Sequence, residues 1–385
     1  MLDTIALTLS EGMFVIAHHN RFSPSTIGFY QPPYYTLGGR GSMSCYQNPT
    51  PSELKNGIYK PRLTVTRRIT RGGFQKVLRI EFSAPKLLFG NNFEELTEEH
   101  FQQVLTVLKD RLKEMGVWVR RLEEAPVSAV HYSKNIVLTN HSTPHTILTE
   151  LSKANHTKRV DTNQTDYRNE GHSFKVHTNT FEVALYDKLR DLRQAKISEK
   201  RAIEKDNAIQ LNLFDTPKIQ QPFEVLRMEV RLNNRTKIKQ SLSALGFEAE
   251  PTFCAVFRLQ IAKQVLSKNW AEIEGSYKLL GYKPKDNRDL LTQLLACNPS
   301  LTTKQAMQFL GLKLAIEEMG IRDFRQVTER GNKKRANAWY KLHKEASQLV
   351  WPQSHFSPLT PVREAIAKFE PVKLKDYESE VYNVT

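Results

Sequence analysis

The amino-acid sequence predicts an α+β fold in which an antiparallel-sheet domain is followed by a mainly helical region. Two observations lead to this class. Strand-like segments of alternating apolar and polar residues, mixed with helices, run through the first 240 residues, and helical periodicity takes over afterwards. We therefore expect a first domain over residues 1–240, a helical domain over 241–350 and a poorly packed tail over 351–385.

The first predicted strands lie on either side of a long loop rich in proline and glycine. Residues 2–9 alternate imperfectly and are typical of an opening strand, and residues 61–69 and 76–83 form a strand pair. Alternation in the last segment, KVLRIEFS, assigns its side chains to two faces. The apolar face would carry Leu78, Ile80 and Phe82, and the polar face Arg79, Glu81 and Ser83.

The middle of the chain alternates between helices and strands. Apolar residues at helical spacing predict a helix over 97–115, a strand follows at 126–133, and another helix is expected near 143–154. Residues 172–187 have the β-branched and aromatic content of a hairpin, with its turn near Thr178.

Residues 225–232, VLRMEVRL, form the cleanest predicted strand. Its alternation places Arg227, Glu229 and Arg231 opposite the core. After residue 240 the pattern predicts helices over 253–268, 270–280, 287–296, 302–318 and 333–349. Residues 302–325 also resemble, weakly, a helix-turn-helix with Gly320 at the turn.

Charge and composition restrict the class of protein. The 56 lysines and arginines against 41 acids give a net charge of +15, which favours a polyanionic partner, above all nucleic acid. The three cysteines are widely spaced and suggest neither a disulfide framework nor a zinc site. No segment has the length and apolarity of a membrane span, and we expect a cytoplasmic protein.

Tyr186 is the candidate nucleophile for DNA cleavage. Strand cleavage that retains the bond energy for rejoining needs a covalent intermediate, and a tyrosine phenolate can form one. In strand register Tyr186 shares a face with Glu182 and Lys188, and the lysine would favour the phenolate and stabilise phosphate charge. The structural alternative is a half-buried sheet tyrosine followed by a solvated lysine.

A divalent cation, Mg²⁺ or Mn²⁺, would polarise the scissile phosphate in such a nuclease. Glu81, His131 and Glu229 each lie on the polar face of a predicted strand and are the candidate ligands. His172 and His177 are five residues apart, so at most one of them is expected to join the site. The alternative for Glu229, which is flanked by arginines, is an ion-pair partner.

A second candidate DNA contact lies near the carboxyl end. Residues 330–344 contain six lysines or arginines, no acid, and the aromatics Trp339 and Tyr340. Cations mixed with stacking rings suit a grip on DNA, and we assign DNA binding to Lys333, Lys334 and Arg335. The alternative is an ordinary solvated helix face.

Several of these segments together resemble the gene II/X replication initiators of filamentous phages and related plasmid initiators. The resemblance covers most of the first 240 residues. It rests on RIEFSAPKLLFGNN (79–92), PVSAVHYSKN (126–135), FEVALYDKLRDL (181–192) and VLRMEVRLNNR (225–235). His131 departs from the family pattern, which has an acidic residue in that strand.

The resemblance implies roles for individual residues. Tyr186 would be the nucleophile with Lys188 as its companion, and Lys86, Arg227 and Arg231 would contact DNA. The protein would nick one strand of double-stranded origin DNA, become joined to the 5′ phosphate, leave a 3′ hydroxyl for a host polymerase and helicase, and later rejoin the displaced single strand.

Two other functions are compatible with the sequence. A mobilisation relaxase would use the same tyrosine chemistry for DNA transfer. A non-catalytic DNA-binding regulator would use only the basic carboxy-terminal region, and its sheet would be a scaffold.

Overall fold

The computed structural model describes most of the chain as one antiparallel sheet and a layer of helices. The described residues are 1–30, 43–70, 73–138, 142–154, 165–168, 171–191, 224–247, 250–277, 280–329, 333–351, 357–373 and 376. Within them the main sheet has nine strands, in the order β3-β4-β5-β1-β7-β11-β10-β9-β8. These nine strands are β1 (Leu2–Ser10), β3 (Met43–Gln47), β4 (Arg62–Thr70), β5 (Gly73–Ser83), β7 (Val127–Leu138), β8 (Thr165–Arg168), β9 (Ser173–His177), β10 (Phe181–Asp187) and β11 (Glu224–Leu232). A separate ribbon pairs β2 (Phe14–Ile16) with β6 (Val117–Val119).

Helices cover one face of this sheet. The α-helices of the described residues, some of which pack on other helices, are α1 (Pro51–Lys55), α2 (Ala84–Phe89), α3 (Phe101–Glu114), α4 (Pro144–Lys153), α5 (Arg235–Ser243), α6 (Phe253–Val256), α7 (Leu259–Tyr277), α8 (Asn287–Cys297), α9 (Thr303–Glu329), α10 (Lys333–Gln348) and α11 (Thr360–Lys368). The ring of Phe253 on α6 packs edge-on against Phe82 of β5 and Phe101 of α3. Apolar residues from alternate strand positions therefore face the helices, and the polar positions face the other way.

The α+β class and most predicted elements are confirmed. The strands expected at 2–9, 61–69, 76–83 and 225–232 are each present, and the strand at 126–133 extends to Leu138. The hairpin is formed by β9 and β10, and α3 and α4 occupy the two predicted helical segments. The long loop predicted before residue 51 contains β3, and the rest of that segment from 31 to 42 lies outside the described residues.

Helices beyond residue 240 share a core with the sheet. The hydroxyl of Tyr132 on β7 donates to the carbonyl oxygen of Val256 at 3.1 Å, and one apolar cluster contains both strand and helix residues. The expected boundary near 240 thus marks a change of secondary structure within a shared core.

The expectation of a poorly packed tail after residue 351 is wrong for the described residues 357–373. Leu359, Val362, Ile366 and Phe369 of the α11 segment are buried. Just beyond α11, the carbonyl oxygen of Glu370 accepts a bond from the buried Lys134 ammonium at 2.8 Å. The spacing of apolar residues in α11 is helical, but the short segment lacks the length that makes such a pattern easy to recognise.

The helical boundaries differ from prediction in two places. The break expected near 269 is absent, because α7 is continuous from Leu259 to Tyr277, and the break lies instead between α6 and α7. Within α9, Gly320 has φ 80° and ψ 159°, so two helical segments meet there. A Cβ atom at Gly320 would lie 3.2 Å from the Cα atom of Lys153 on α4, so both the backbone angle and the close packing favour glycine. None of the described helices combines the length and apolarity that crossing a bilayer requires.

Candidate active site

Four neighbouring strands bring a set of polar side chains to the polar face of the sheet. Because β7, β11, β10 and β9 are adjacent and antiparallel, their cross-strand partners form rows. One row contains Asn135, Arg227, Tyr186 and Ser173, the next Ser133, Glu229, Ala184 and Lys175, and the third His131, Arg231, Glu182 and His177. The predicted side-chain orientation of Tyr186, Arg227, Glu229 and Arg231 is therefore correct.

Glu229 is the centre of this arrangement. Its Oε1 accepts bonds from the Tyr186 hydroxyl at 2.7 Å and from Nε of Arg227 at 2.8 Å, and its Oε2 accepts from Nε of Arg231 at 2.8 Å. Only 3% of the side chain is exposed. Burial would raise the pKa of Glu229, but the charges of Arg231 and Arg227 outweigh it and hold the pKa well below its usual range.

Arg227 is a fully buried guanidinium whose donors are all directed at protein acceptors. Besides Glu229, it pairs with Asp3 at 3.0 Å and donates to Ser133 Oγ at 3.0 Å. Two further bonds go to the carbonyl oxygen of Asn92 and to Oδ1 of Asn135. A buried arginine is tolerated when its charge is paired and its donors are satisfied, so Arg227 acts here as a rigid support for Glu229.

Asp3 reaches Arg227 because β1 is irregular at that point. Leu2 opposes Tyr132 and Ile5 opposes Val130, so β1 has one more residue than β7 between these pairs. Such a bulge redirects side chains, and at this bulge Asp3 lies beside Arg227 and Ser83. The Oγ of Ser83 donates a hydrogen bond to Asp3 at 3.1 Å. Sequence reasoning missed Asp3, although an acid inside an apolar strand is an unusual feature that could have drawn attention.

Tyr186 lies at the end of β10 and is partly exposed. Burial of its hydroxyl, followed by the charge of Glu229, raises the pKa of Tyr186 well above its usual value. The resting tyrosine is therefore a neutral phenol that donates to Glu229. The expectation that a neighbouring lysine favours the phenolate is wrong for this state.

Lys188 is neither on the strand nor solvated. The strand ends at Asp187 and residues 188–191 are helical, so the strand register that would place Lys188 beside Tyr186 does not apply. The Lys188 side chain is buried, and burial, with repulsion from Arg227 and Lys86, lowers its pKa to about 7. A substantial share of Lys188 is thus neutral near physiological pH.

The three candidate metal ligands are not brought together. Glu81 lies on β5, separated from β7 by β1, and pairs with Arg79 at 2.8 Å. Nε2 of His131 lies 3.2 Å from Oδ1 of Asn233, and burial, then the charge of Arg231, lowers the pKa of His131. Both oxygens of Glu229 are occupied by arginine and tyrosine donors.

Across the described part of the chain, no three His, Cys, Asp or Glu side chains are grouped to hold a metal ion. The candidate ligand set therefore remains a prediction, with Glu81 two strands away from the strand that carries His131. Of the two other histidines considered, His177 opposes Glu182 in the third row, whereas His172 precedes β9 and lies 3.4 Å from Asp187.

The predicted DNA-binding residues fall into two groups. Arg227 and Lys86 are buried, and Arg231 is 26% exposed, so Arg231 alone of these three has an accessible guanidinium. On α10, Lys334 and Arg335 are exposed, and the side chain of Lys333 lies outside the described residues.

The aromatics of α10 differ in exposure. Trp339 is buried against Phe324 and His343, so the expectation that it is available for stacking on DNA is wrong. Tyr340 is 66% exposed and lies among the cations of that helix.

Comparison with protein-family models, curated proteins and solved structures finds no match for this chain.

Proposed function

We propose that the chain initiates rolling-circle DNA replication by nicking and rejoining one strand at an origin through a covalent 5′-phosphotyrosine. The observation that carries the proposal is the 2.7 Å hydrogen bond from the hydroxyl of Tyr186, a partly exposed residue, to the buried Glu229 carboxylate. A hydroxyl oriented by a carboxylate and surrounded by guanidinium groups is suited to attack a phosphodiester.

In the proposed reaction, Tyr186 Oη forms a bond to phosphorus and its proton passes to Glu229 Oε1. The bond between phosphorus and the 3′ oxygen breaks, and that oxygen takes a proton to become the free 3′ hydroxyl. The Lys188 side chain is buried and lies off the strand that carries Tyr186, so we assign this proton to solvent water. The phosphotyrosine keeps the bond energy, so the reverse reaction rejoins the strand.

Arg231 links DNA binding to activation of the tyrosine. It is the more exposed of the two arginines on Glu229, and it also pairs with Glu182 at 3.0 Å. An incoming phosphate competes with these carboxylates for the guanidinium. As Arg231 turns to the phosphate, the pKa of Glu229 rises, because one of the two charges that lowered it has moved away, and Glu229 becomes a better proton acceptor.

The proposal includes further partners. Exposed cations on α10 would hold the DNA backbone, and the free 3′ hydroxyl would serve a host polymerase and helicase in the bacterial cytoplasm. A divalent cation, Mg²⁺ or Mn²⁺, is implied by the resemblance to phage initiators. Since the described side chains do not form its site, cleavage should be measured with each ion and with a chelator.

The test uses a supercoiled plasmid that carries the DNA flanking the gene. The wild-type chain should nick the plasmid and become covalently attached through Tyr186, whereas Tyr186→Phe should bind the plasmid and cut nothing. Tyr282→Phe is the matched control, because its hydroxyl also donates to a carboxylate, Asp289, at 2.7 Å but lies in the helical region. Equal cutting by wild type and Tyr186→Phe would refute the assignment, and binding without any cutting would indicate a DNA-binding regulator.

A further inference from the structure

The polar face of the sheet continues beyond the candidate active site onto β5, β4 and β3, where some of its side chains are exposed. Tyr46 of β3 opposes Thr64 of β4, which opposes Arg79 of β5. The Tyr46 ring is 48% exposed and the Arg79 side chain 42% exposed. Alternate residues of these strands, including Cys45, Val65 and Leu78, are buried in the core, so the exposed row lies on the face opposite to the helices.

Hydroxyl groups surround this row. The hydroxyls of Ser44 and Thr66 lie 3.1 Å apart, and Arg79 reaches Ser128 on β7 at 3.5 Å across β1. We call Tyr46, Thr64, Arg79 and Ser128 the Tyr46 surface. It combines an aromatic ring, a guanidinium and hydroxyl donors on one face of the sheet, within a chain of net charge +15.

We propose that the Tyr46 surface binds single-stranded DNA that extends from the phosphate held at Tyr186. The inference rests on the proposed function, because it identifies where the strand beside the cleaved bond would lie. Tyrosine rings stack on bases regardless of sequence, and arginine and hydroxyl side chains donate to phosphate oxygens.

Reaching the Tyr46 surface from Tyr186 requires an extended stretch of unpaired strand. Six steps in the strand order separate β10, which carries Tyr186, from β3, and at about 4.8 Å per step they correspond to about 29 Å. The row of Tyr46 and Arg79 lies level with Pro126 at the start of β7 and the row of Tyr186 level with Asn135, so the two rows are also about 30 Å apart along the strands at about 3.3 Å per residue. Tyr46 and Tyr186 lie on the same face of the sheet. On the strands between them, Thr8 of β1 and Ser128 of β7 lie on that face as well. The Tyr46 surface and the active site therefore lie on the same face of one sheet.

Single-stranded DNA fits this surface better than duplex. A ring on the edge strand of the sheet can stack only on a base that has one face uncovered, and duplex bases are covered on both faces by their neighbours. Glu81, beside Arg79, reduces the local positive charge, so phosphate attraction alone is modest here and stacking must contribute.

The experiment measures the affinity of the full chain for a labelled oligothymidylate of about 16 nucleotides by fluorescence anisotropy. All proteins carry Tyr186→Phe, which prevents covalent capture. Tyr46→Ala should weaken binding roughly tenfold, whereas Tyr46→Phe should bind like the parent, because the ring is kept. Arg79→Gln should make the slope of log affinity against log salt shallower by about 0.7, the value for one lost phosphate contact with a single strand.

Arg111→Gln is the matched control. Arg111 also pairs with an exposed glutamate, Glu114, at 2.9 Å, but it lies on α3 in the helical layer. Its variant should keep the parent's affinity and salt slope. Unchanged binding by Tyr46→Ala and Arg79→Gln would overturn the inference, as would equal losses for Tyr46→Ala and Tyr46→Phe, or an equal loss towards duplex of the same length.

Failure of this inference is distinguishable from failure of the proposed function. If the chain with Tyr186 forms the DNA adduct and Tyr46→Ala leaves affinity unchanged, the Tyr46 surface is excluded and nicking stands. If no adduct forms but Tyr46→Ala selectively weakens single-strand binding, nicking is excluded and the surface stands. The unfolding midpoint of each variant should match that of the parent, because Tyr46 and Arg79 are half-exposed.

Discussion

Replacing Glu229 with glutamine tests the charge network while keeping the size of the side chain. Glu229 accepts bonds from Tyr186, Arg227 and Arg231. The amide has one acceptor oxygen and a donor group, so at least one guanidinium then faces a donor and loses its partner. Arg227 keeps Asp3, and Arg231 keeps Glu182.

The expected loss of stability follows from the burial of Glu229 and Arg227. Removing one partner of a buried ion pair costs about 3–5 kcal/mol when the remaining charge is uncompensated. Since each arginine keeps a second carboxylate, we expect the lower end, about 3 kcal/mol, for Glu229→Gln. Urea unfolding at pH 7 measures this as the difference in unfolding free energy.

Glu250→Gln is the control. Glu250 accepts bonds from Arg235 and Lys239, so it also has two cationic partners, but its side chain is 57% exposed. We expect no measurable change in unfolding free energy for this variant, because solvent screens an exposed pair. The contrast between the two variants isolates the effect of burial.

The pH dependence gives a second check on Glu229. Its pKa is lower in the folded than in the unfolded protein, so its contribution is complete above the unfolded pKa and is lost as pH falls towards the folded value. The difference between wild type and Glu229→Gln should be constant from pH 6 to 8 and should begin to shrink below about pH 4.3. A loss below about 1 kcal/mol, or one that does not shrink in acid, would refute this account.

Three further predictions concern other parts of the chain. Gly320→Ala should destabilise the protein by about 2 kcal/mol, because the backbone angles at Gly320 are unfavourable for alanine. Gly311→Ala in the same helix should stabilise it by up to about 1 kcal/mol, and thermal unfolding of the two variants measures the difference. Because the pKa of Lys188 is lowered in the folded protein, the unfolded state binds more protons above pH 7, and the free energy of unfolding should rise between pH 7 and 9.5. Urea unfolding of Lys188→Met should show no such rise. Reversing the charges of Lys334 and Arg335 to glutamate should weaken plasmid binding and flatten its salt dependence, and an unchanged salt slope would place both side chains away from phosphate.

The sequence was sufficient to predict side-chain faces wherever one strand determined them. The period-two pattern around Arg227, Glu229 and Arg231 is local, because neighbouring side chains on any strand point to opposite faces. The structure has all three on the polar face. The same reasoning failed for Lys188, because the strand ends one residue before it, and element boundaries are the least reliable part of a pattern-based prediction.

Partners that depend on pairing between distant segments could not be predicted. Asp3 meets Arg227 only because β1 lies beside β7 and bulges there, and Asn92 contributes a backbone carbonyl that no residue type signals.

Burial on α10 depends on which side of the helix faces the core. Trp339 faces the core and its neighbour Tyr340 faces solvent, although the two aromatics were equivalent in the sequence.

The ion pairs around Glu229 show how a carboxylate that the sequence suggested as a metal ligand can pair with arginine instead. Charges alternate across the polar face, with Lys175 paired to Glu182, Arg231 between Glu182 and Glu229, and Arg227 between Glu229 and Asp3. In such a chain each carboxylate is already neutralised, so a divalent cation would have to displace a guanidinium to bind. An anion, by contrast, needs only the arginine that is nearest to solvent. Under the proposed function, a phosphate would bind at Arg231, next to the Tyr186 hydroxyl that Glu229 orients.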